Sequence, residues 1–544
     1  MPPAMILRRM KYHPNKVRAT YVPRTLLVIT LCMTCAKAQN PPLQPNNSEK
    51  PPQNISEVLQ TIDQLVKQNR QLVKENGQIE EQNRQLMDQI ESLRRTLGGQ
   101  ADAATRVPEH AEREEDDNPA LTAPAMESSQ EGEPDLSAEV STPQEHKKFG
   151  TYTPNFGFTV ADTDRGSMNV SIFSYVRYLN QLDLAPTYTN AFGVVSNVKQ
   201  RQDFQLAKVQ IKFLGWLLTP NFRYFLYTWT SNASMGQGSQ VVVAGNLNYT
   251  FNKYFTFSGG INGLPGTRTL EGNFPFWLSM DSRLVADEFF RPSYTSGIWA
   301  RGLITDKLRY QAMLGNNLSA LGVNAGQLPN HLGTFAGALV WMPSTGEFGA
   351  GFGDFEEHDK LATRLGIHFT RSRENRQSQP GTEDFQNTQL RLSDGSIIFT
   401  PNLFGPGTTI IDATYKMTSF DGGIKLHGYS LEGEYYLRWL NDFRGLGRAA
   451  DLSGLFDQGF QIQTSAMVVP KIFQIYAGGS TIFGQYGTPY DARVGTNVFP
   501  WKNRVVRWNT EALYLYKSPV GHLAVPYPVG GKGWVFDTNV EMAF

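Results

Sequence analysis

The chain has 544 residues, with 50 Lys+Arg set against 50 Asp+Glu, 33 Phe, 22 Tyr, 9 Trp and two Cys. A zero charge balance argues against an electrostatic nucleic-acid binder, and two Cys exclude a disulfide-built scaffold or a Cys-based zinc cluster. Apart from the N-terminal leader, no apolar run is long enough for a spanning helix, which leaves a strand-built membrane protein open, since barrel strands are short and half polar.

The totals conceal a partition. Residues 1–38 carry seven basic residues and no acid, residues 39–100 seven basic and eight acidic, and residues 101–146 two basic and thirteen acidic, leaving 34 basic and 29 acidic residues for 147–544. Every Phe, Trp and Tyr except Tyr12 and Tyr21 lies at Phe149 or later.

Residues 1–38 read as an export signal. A basic region ends at Arg24, an apolar stretch follows from Leu26 to Met33, and Ala36-Lys37-Ala38 gives the small-x-small pattern before Gln39. Cleavage there, marked by Ala36 and Ala38, removes both Cys, as suits a chain passing an oxidising compartment. A short linker, 39–54, comes next.

Residues 55–97 keep an unbroken three-four apolar spacing from Ile55 to Leu97 over six heptads, which predicts a coiled coil. Three successive a positions are Asn69, Asn76 and Asn83, a device that sets register and oligomer state. Apolar e positions (Leu59, Val66, Val73, Met87) widen the stripe and favour a parallel trimer over a dimer. Residues 98–148 are Pro-, Glu-, Ser- and Ala-rich and read as an acidic, disordered linker.

From 149 onward the period becomes two. In the last segment Trp534, Phe536, Thr538, Val540, Met542 and Phe544 share one face, and Asp537, Asn539 and Glu541 lie on the other. Sixteen such segments can be marked: 169–179, 204–214, 222–231, 240–249, 254–261, 296–303, 308–315, 333–342, 361–371, 408–418, 426–438, 459–468, 472–481, 491–499, 505–516 and 533–544. Long connections follow odd segments and short ones follow even segments, as in bacterial outer-membrane barrels. The fold class expected is all-β: a transmembrane antiparallel barrel of sixteen strands, or eighteen if the Gly-rich 343–360 hides a strand pair, preceded by the α-helical coiled coil. A barrel of that size leaves a water-filled channel. Aromatics near segment ends (Trp216, Tyr249, Phe251, Tyr254, Trp341, Phe499, Trp501) suit interfacial girdles.

The stretch Phe257-Ser258-Gly259-Gly260-Ile261-Asn262-Gly263-Leu264-Pro265-Gly266, and the pairing of Ser465-Ala466-Met467-Val468-Val469-Pro470-Lys471 with Tyr476, resemble the phosphate-selective porins O and P. The resemblance covers about residues 150–544 and implies a trimer of sixteen-stranded barrels with inward-folded loops. Members of that family carry a dense basic ladder in the pore, from which this sequence departs.

Taking the less apolar face of each strand as inward places Arg177, Lys208, Lys212, Arg301, Arg309, Arg364, His368, Lys416, Arg438, Arg493 and Arg507 along the pore, against seven inward acids. Such a lining predicts a mild anion preference. Loop 262–295 is the constriction candidate. It combines apolar anchors (Phe274, Phe276, Trp277, Leu278, Phe289, Phe290) with Arg268, Glu271, Asp281, Arg283, Asp287, Glu288 and Arg291, whose opposite charges could face each other across an eyelet. The sequence carries no GxSxG, HExxH or Walker A motif, so neither enzyme activity, a cofactor nor a metal is expected. The expected partners are two further copies of the chain, outer-membrane lipid, small solutes or anions, and peptidoglycan if the coiled coil tethers the outer membrane to the cell wall. The expected site is the bacterial outer membrane, with the coiled coil in the periplasm.

Overall fold

A computed structural model describes residues 149–154, 156–231, 240–272, 274–321, 323, 332–349, 351–377, 379, 390–448, 452–522 and 525–544. The expected signal, linkers and coiled coil, with Ala36, Ala38, Asn69, Asn76 and Asn83, lie outside the described residues.

In chain order the strands are β1 (Tyr152–Thr153), β2 (Gly157–Thr163), β3 (Gly166–Asn180), β4 (Thr187–Thr189), β5 (Val195–Asn197), β6 (Gln202–Leu217), β7 (Thr219–Ser231), β8 (Gln240–Asn252), β9 (Phe255–Gly263) and β10 (Tyr294–Thr305). There follow β11 (Leu308–Gly315), β12 (Thr334–Trp341), β13 (Ala362–Asn375), β14 (Thr409–Leu426), β15 (Tyr429–Leu446), β16 (Leu455–Val469), β17 (Phe473–Phe483), β18 (Tyr490–Val498), β19 (Val506–Tyr516) and β20 (Lys532–Ala543). The loop between β9 and β10 holds a 3-10 turn (Arg268–Leu270) and a short α-helix, α1 (Val285–Phe290). No described helix is long and apolar enough to cross a membrane.

Sixteen strands, β3 and β6 to β20, pair antiparallel with their neighbours in sequence, and β20 pairs back onto β3, closing the sheet. Ile172 and Phe544 exchange backbone hydrogen bonds of 2.7 and 2.9 Å at the seam. Closure leaves no long edge to aggregate. β20 covers β3 only from Phe173 to Asn180; the first half of β3 is covered instead by β2, in an N-terminal hairpin the periodicity reading missed. Each of the sixteen expected segments overlaps one of these strands, although β14 runs on to Leu426 rather than ending at 418 and β15 begins at Tyr429 rather than at 426. The eighteen-strand alternative fails: the described residues of 343–360 form no strand but a turn with Gly349, Gly351 and Gly353 at φ +70°, +71° and +81°.

The short connections lie on one rim. The turn His427-Gly428 between β14 and β15 has both residues at positive φ (49° and 82°), the twist that a two-residue hairpin requires. The long loops lie on the opposite rim.

Alternation sorts the side chains into two environments. Outward-facing residues of the wall are large and apolar: Val243, Leu365, Ile462, Val494, Phe536 and Val540 are each 49–77% exposed. On β20, Val535, Asp537, Asn539 and Glu541 turn inward and are buried. Tyr249, Phe251, Tyr254, Trp341 and Trp501 stand exposed near the short-turn rim. Phe499, expected with them, is instead buried against Phe355, with ring centroids 4.8 Å apart.

Candidate functional site

The lumen is largely filled by the chain itself. Nearly every described residue from Leu264 to Ser293 is buried, so the β9–β10 loop lies inside the barrel. The wall holds it by charge-assisted hydrogen bonds, the strong kind. Arg177 donates to the Met280 carbonyl (2.9 Å), and Lys208 pairs with Asp281 (2.6 Å), which also accepts from the Tyr175 hydroxyl (2.9 Å). Arg493 donates to the Arg283 carbonyl (2.8 Å), Asn497 to that of Leu278 (3.0 Å), and Arg507 to that of Trp277. At the far end α1 is pinned by Ser480, which accepts from the Ala286 amide (2.9 Å), and by Tyr415, which donates to the Phe290 carbonyl. Apolar packing completes the seal. Val285, Ala286, Phe289 and Phe290 join one cluster with Tyr415, Met417, Tyr436 and Leu440 of β14 and β15.

The seven charged residues expected at the constriction are therefore all inside the barrel, but not as an open eyelet. Arg268 pairs with Glu432 (3.3 Å), Glu271 with Arg364 (2.6 Å), Asp281 with Lys208, Arg283 with Glu288 (3.4 Å), and Arg291 with Glu288 (3.0 Å), while Asp287 accepts from Thr269 (2.7 Å). A buried charge without a partner is too costly to persist, so the loop's charges are spent on the wall and on each other.

The expected pore-lining residues divide similarly. Arg177, Lys208, Arg364, His368, Arg438, Arg493 and Arg507 face inward and are buried. Arg438 pairs with Asp457 (2.7 Å) and lies 3.9 Å over the Phe289 ring, and Arg507 pairs with Glu541 (2.7 Å). Arg301 and Arg309 face inward and are half-buried; Arg309 donates to the Met342 sulfur (2.9 Å). Lys416 is misplaced by the sequence reading. It pairs across the sheet with Arg371 and Trp439, both on the outer face, while Tyr415 and Met417 turn inward. Register shifts between Ile410, Asp412 and Thr414 invert the expected parity, since one extra residue sends every later side chain to the other face.

Glu271, His368 and Asp421 present ligand-type atoms within 4.8 Å of one another. Arg364 donates to both carboxylates at 2.6 Å, so a cation of the chain already occupies the centre of this trio.

The short-turn rim is also partly closed. Residues 343–360 fold inward, burying Phe348, Phe352 and Phe355, and meet the β9–β10 loop from the other side. The Phe352 amide donates to the Phe276 carbonyl (2.8 Å), and the Gly351 carbonyl accepts from Arg268 (2.8 Å) and Lys425 (3.0 Å). A Cβ on Gly351 would lie 2.0 Å from the Phe276 oxygen, and its φ is +71°, so no other residue type fits there.

His358 latches this turn. It contacts Asp354 through Nδ1 and Glu347 through Nε2 (3.2 Å). Burial opposes its charged form, but the hydrogen bonds to Asp354 and Glu347 outweigh burial and lift its pKa to about 9. A pKa raised on folding contributes stability in full below the ordinary His value of about 6.5 and loses it as pH rises through the folded value. Asp354 is the converse: burial pushes its pKa up, the bonds from His358 pull it below the usual range, and its contribution is lost toward acid. The turn is thus latched at neutral pH and released above about pH 9. Single-channel current should become noisier or larger between pH 8 and pH 10, and a His358→Gln variant should show that state at pH 7; identical traces for both proteins at all pH values refute the latch.

Two cavities lie inside the barrel, one beside β3, β6 and β7 and the other beside β6 to β9. One cavity of about 130 Å³ near the short-turn rim is lined by Ser171, Lys212, Phe225, Phe274, Phe276 and Arg504, among others, and reaches Phe544. A second of about 70 Å³ is lined by Lys208, Gln210, Tyr227, Trp229, Asn246 and Arg283, among others. Lys212, Phe225 and Phe274 line both. No Asp or Glu lines either cavity.

Two rows build this wall. Lys208, Gln210 and Lys212 alternate inward on β6, and Phe225, Tyr227 and Trp229 do so on the adjacent β7, with Lys212 opposite Tyr227 and Gln210 opposite Trp229. Choosing the less apolar face of each strand as inward turns this aromatic row outward, whereas the structure places it inside. The turn alone carries no signal for it: Leu217 pairs with Thr219 across Leu218, and a register shift between Trp216 and Leu217 offsets the ladder that puts Tyr227 beside Lys212.

No known protein-family profile matches the chain, and no curated protein does. Among solved structures, similar folds include OmpT of Vibrio cholerae (10% identity over 71% of this chain and 99% of that one, TM-score 0.42). The outer membrane channel DcaP of Acinetobacter baumannii matches at 7% identity over 70% of this chain and 99% of that one, with TM-score 0.42. An anion-selective porin from Comamonas acidovorans matches at 8% identity over 70% of this chain and 100% of that one, also with TM-score 0.42.

Proposed function

We propose that this chain is a porin-type channel of the bacterial outer membrane, passing small hydrophilic solutes with a preference for anions. The observation that carries the reading is a closed sixteen-strand barrel, apolar outside and polar inside, holding two cavities bordered by Lys208, Lys212, Arg283 and Arg504 and by no Asp or Glu, with Lys208 and Arg283 themselves paired to Asp281 and Glu288. An apolar exterior with a polar interior is the arrangement a lipid-embedded barrel needs, and the sign of the charge lining a pore sets which ion passes. The route is a narrow side passage, so its conductance is small for a barrel of this strand number. Phosphate passes as one anion among several, because the basic side chains on the opposite wall are consumed in ion pairs.

Planar-bilayer recording of the refolded protein tests this. The expected result is a low-conductance channel whose reversal potential in asymmetric KCl has the sign for chloride. A cation-selective reversal potential overturns the preference, and silence at every protein concentration overturns the channel.

The heptads of 55–97 support a second, compatible role: a parallel trimeric coiled coil in the periplasm that sets the oligomeric state and bridges toward the cell wall. Deleting 55–97 separates the two. Envelope blebbing with unchanged conductance supports the tether, and loss of trimers without an envelope defect supports assembly alone.

A further inference from the structure

We propose that the outer face of β13 and β14, where Arg371 and Lys416 stand side by side, binds a lipid headgroup carrying a phosphate monoester, in the leaflet at the long-loop rim. The proposal rests on the outer-membrane reading and concerns the outside of the wall, not the passage through it.

The cations come first. Arg371 and Lys416 are direct cross-strand partners on the outer face. Arg371 is exposed and Lys416 half-buried, and among the described residues neither side chain has a hydrogen bond or ion pair. Of the acids at this end of the wall, Asp412 is held by Arg373. Asp442 lies three residues beyond Trp439, about 10 Å farther toward the loops at 3.3 Å per residue. Like charges directly opposite each other weaken a sheet, and a charge on a lipid-facing wall is costly toward the midplane. An anion held between the two side chains offsets both penalties. A second copy of the barrel packed here would not neutralise them, because the wall acids Asp421, Glu432, Asp457, Asp491, Glu511 and Asp537 are buried inside.

Depth is read from β15. Tyr429 and Trp439 both face outward, ten residues apart. That is about 33 Å along the strand. For a strand tilted by about 40° it is about 25 Å along the membrane normal, the height of the apolar band of such barrels. Interfacial aromatics mark the edges of that band, so Trp439 stands at the edge on the long-loop side. One cross-strand row runs Phe335, Arg371, Lys416, Trp439, Phe456 over β12 to β16. The two cations therefore stand at headgroup level between aromatic rings, and Phe369 and Leu437 lie one step toward the midplane for acyl chains.

Charge sets the headgroup. The Arg guanidinium offers a planar fork to phosphate oxygens and the Lys ammonium a point charge. A phosphate monoester carries nearly two negative charges at pH 7 and matches two cations. A diester headgroup such as phosphatidylglycerol carries one, and phosphatidylcholine has no net charge.

The test is lipid retention by the detergent-folded full chain, read by native mass spectrometry after addition of lipid A, dephosphorylated lipid A, phosphatidic acid, phosphatidylglycerol or phosphatidylcholine. Lipid A and phosphatidic acid should be held, phosphatidylglycerol about tenfold more weakly for one lost charge-assisted bond, and the two lipids without net charge not at all. Arg371→Gln combined with Lys416→Gln should bring lipid A down to the level of phosphatidylglycerol or below. Lys416→Glu places an acid opposite Arg371 and should abolish retention while the heat-resistant folded band and the single-channel conductance stay as in the wild type. Lys502→Gln, at the short-turn rim, should bind as the wild type does. Undiminished retention of lipid A in Lys416→Glu, or equal retention of all five lipids, overturns the site. So does full release of lipid A by millimolar inorganic phosphate, which would assign the cations to a free anion. Loss of trimers in Lys416→Glu with lipid A still bound also overturns it and assigns the row to a contact between copies. Absence of current with the lipid order intact overturns only the channel, and normal current without any lipid preference overturns only this site.

Discussion

Excising residues 265–292 and joining β9 to β10 with a short Asn-Gly link should raise single-channel conductance on the order of tenfold, because sixteen strands without an inward loop enclose an aqueous channel. The excision is compatible with the wall. Gly263 and Tyr294 are direct cross-strand partners, so the strand ends are already adjacent and a tight turn can bridge them. The loop closes the lumen by filling it, with α1 in the main apolar cluster and Trp277 and Leu278 in a second one with Phe352 and Tyr476. Its removal also uncovers Arg177, Lys208, Arg493 and Arg507, together with the acids of the wall, so the wider pore should lose much of its anion preference as charges of both signs meet water. A heat-resistant, fast-migrating band in unheated gels checks that the barrel has formed. Unchanged conductance in a folded barrel would show that current does not pass the space the loop occupies.

Much of this arrangement was readable from the chain, and the failures have identifiable causes. Strand number and order followed from period two and from the alternation of short and long connections, because a closed antiparallel wall forces both. The entry of loop 262–295 into the barrel was signalled by Phe274, Trp277, Phe289 and Phe290, apolar anchors that a solvated loop does not require. Lys416 went wrong because the irregular pairing near Asp412 shifts register, and no residue type there announces a bulge. The aromatic face of β7 went wrong because polarity alone was used to choose the inner side. The largest gap is the state of the charges. Arg268 and Glu432, 164 residues apart, or Arg177 and Asn539, 362 apart, meet only after the barrel has closed. A sequence shows the charges but not the pairing, and pairing separates a wet pore lining from a packed interior.

That difference is measurable at Arg364. Were it a water-facing pore residue, Arg364→Met would alter ion selectivity and leave stability within about 0.5 kcal/mol, as for most surface substitutions. The guanidinium is instead 1% exposed, with Nε 2.6 Å from Asp421 and Nη2 2.6 Å from Glu271. His368 reaches the same Asp421 at 2.8 Å and the Pro265 carbonyl at 3.2 Å, so the cluster ties the wall to the first turn of the inward loop. Removing the cation leaves the buried Asp421 and the half-buried Glu271 facing each other, with His368 between them and Arg268 4.0 Å from Glu271, and breaking a buried pair costs about 3–5 kcal/mol. The expected result is a lowered urea midpoint and flickering current as the loop detaches near Glu271. Adding Glu271→Gln and Asp421→Asn to Arg364→Met removes the stranded charges and should recover most of the loss, since neutralising a whole buried cluster is far cheaper than orphaning part of it. Recovery identifies unpaired charge as the cause. A triple variant as unstable as the single one would assign the loss to the missing Arg364 packing instead, and wild-type stability in Arg364→Met would return the residue to the pore lining.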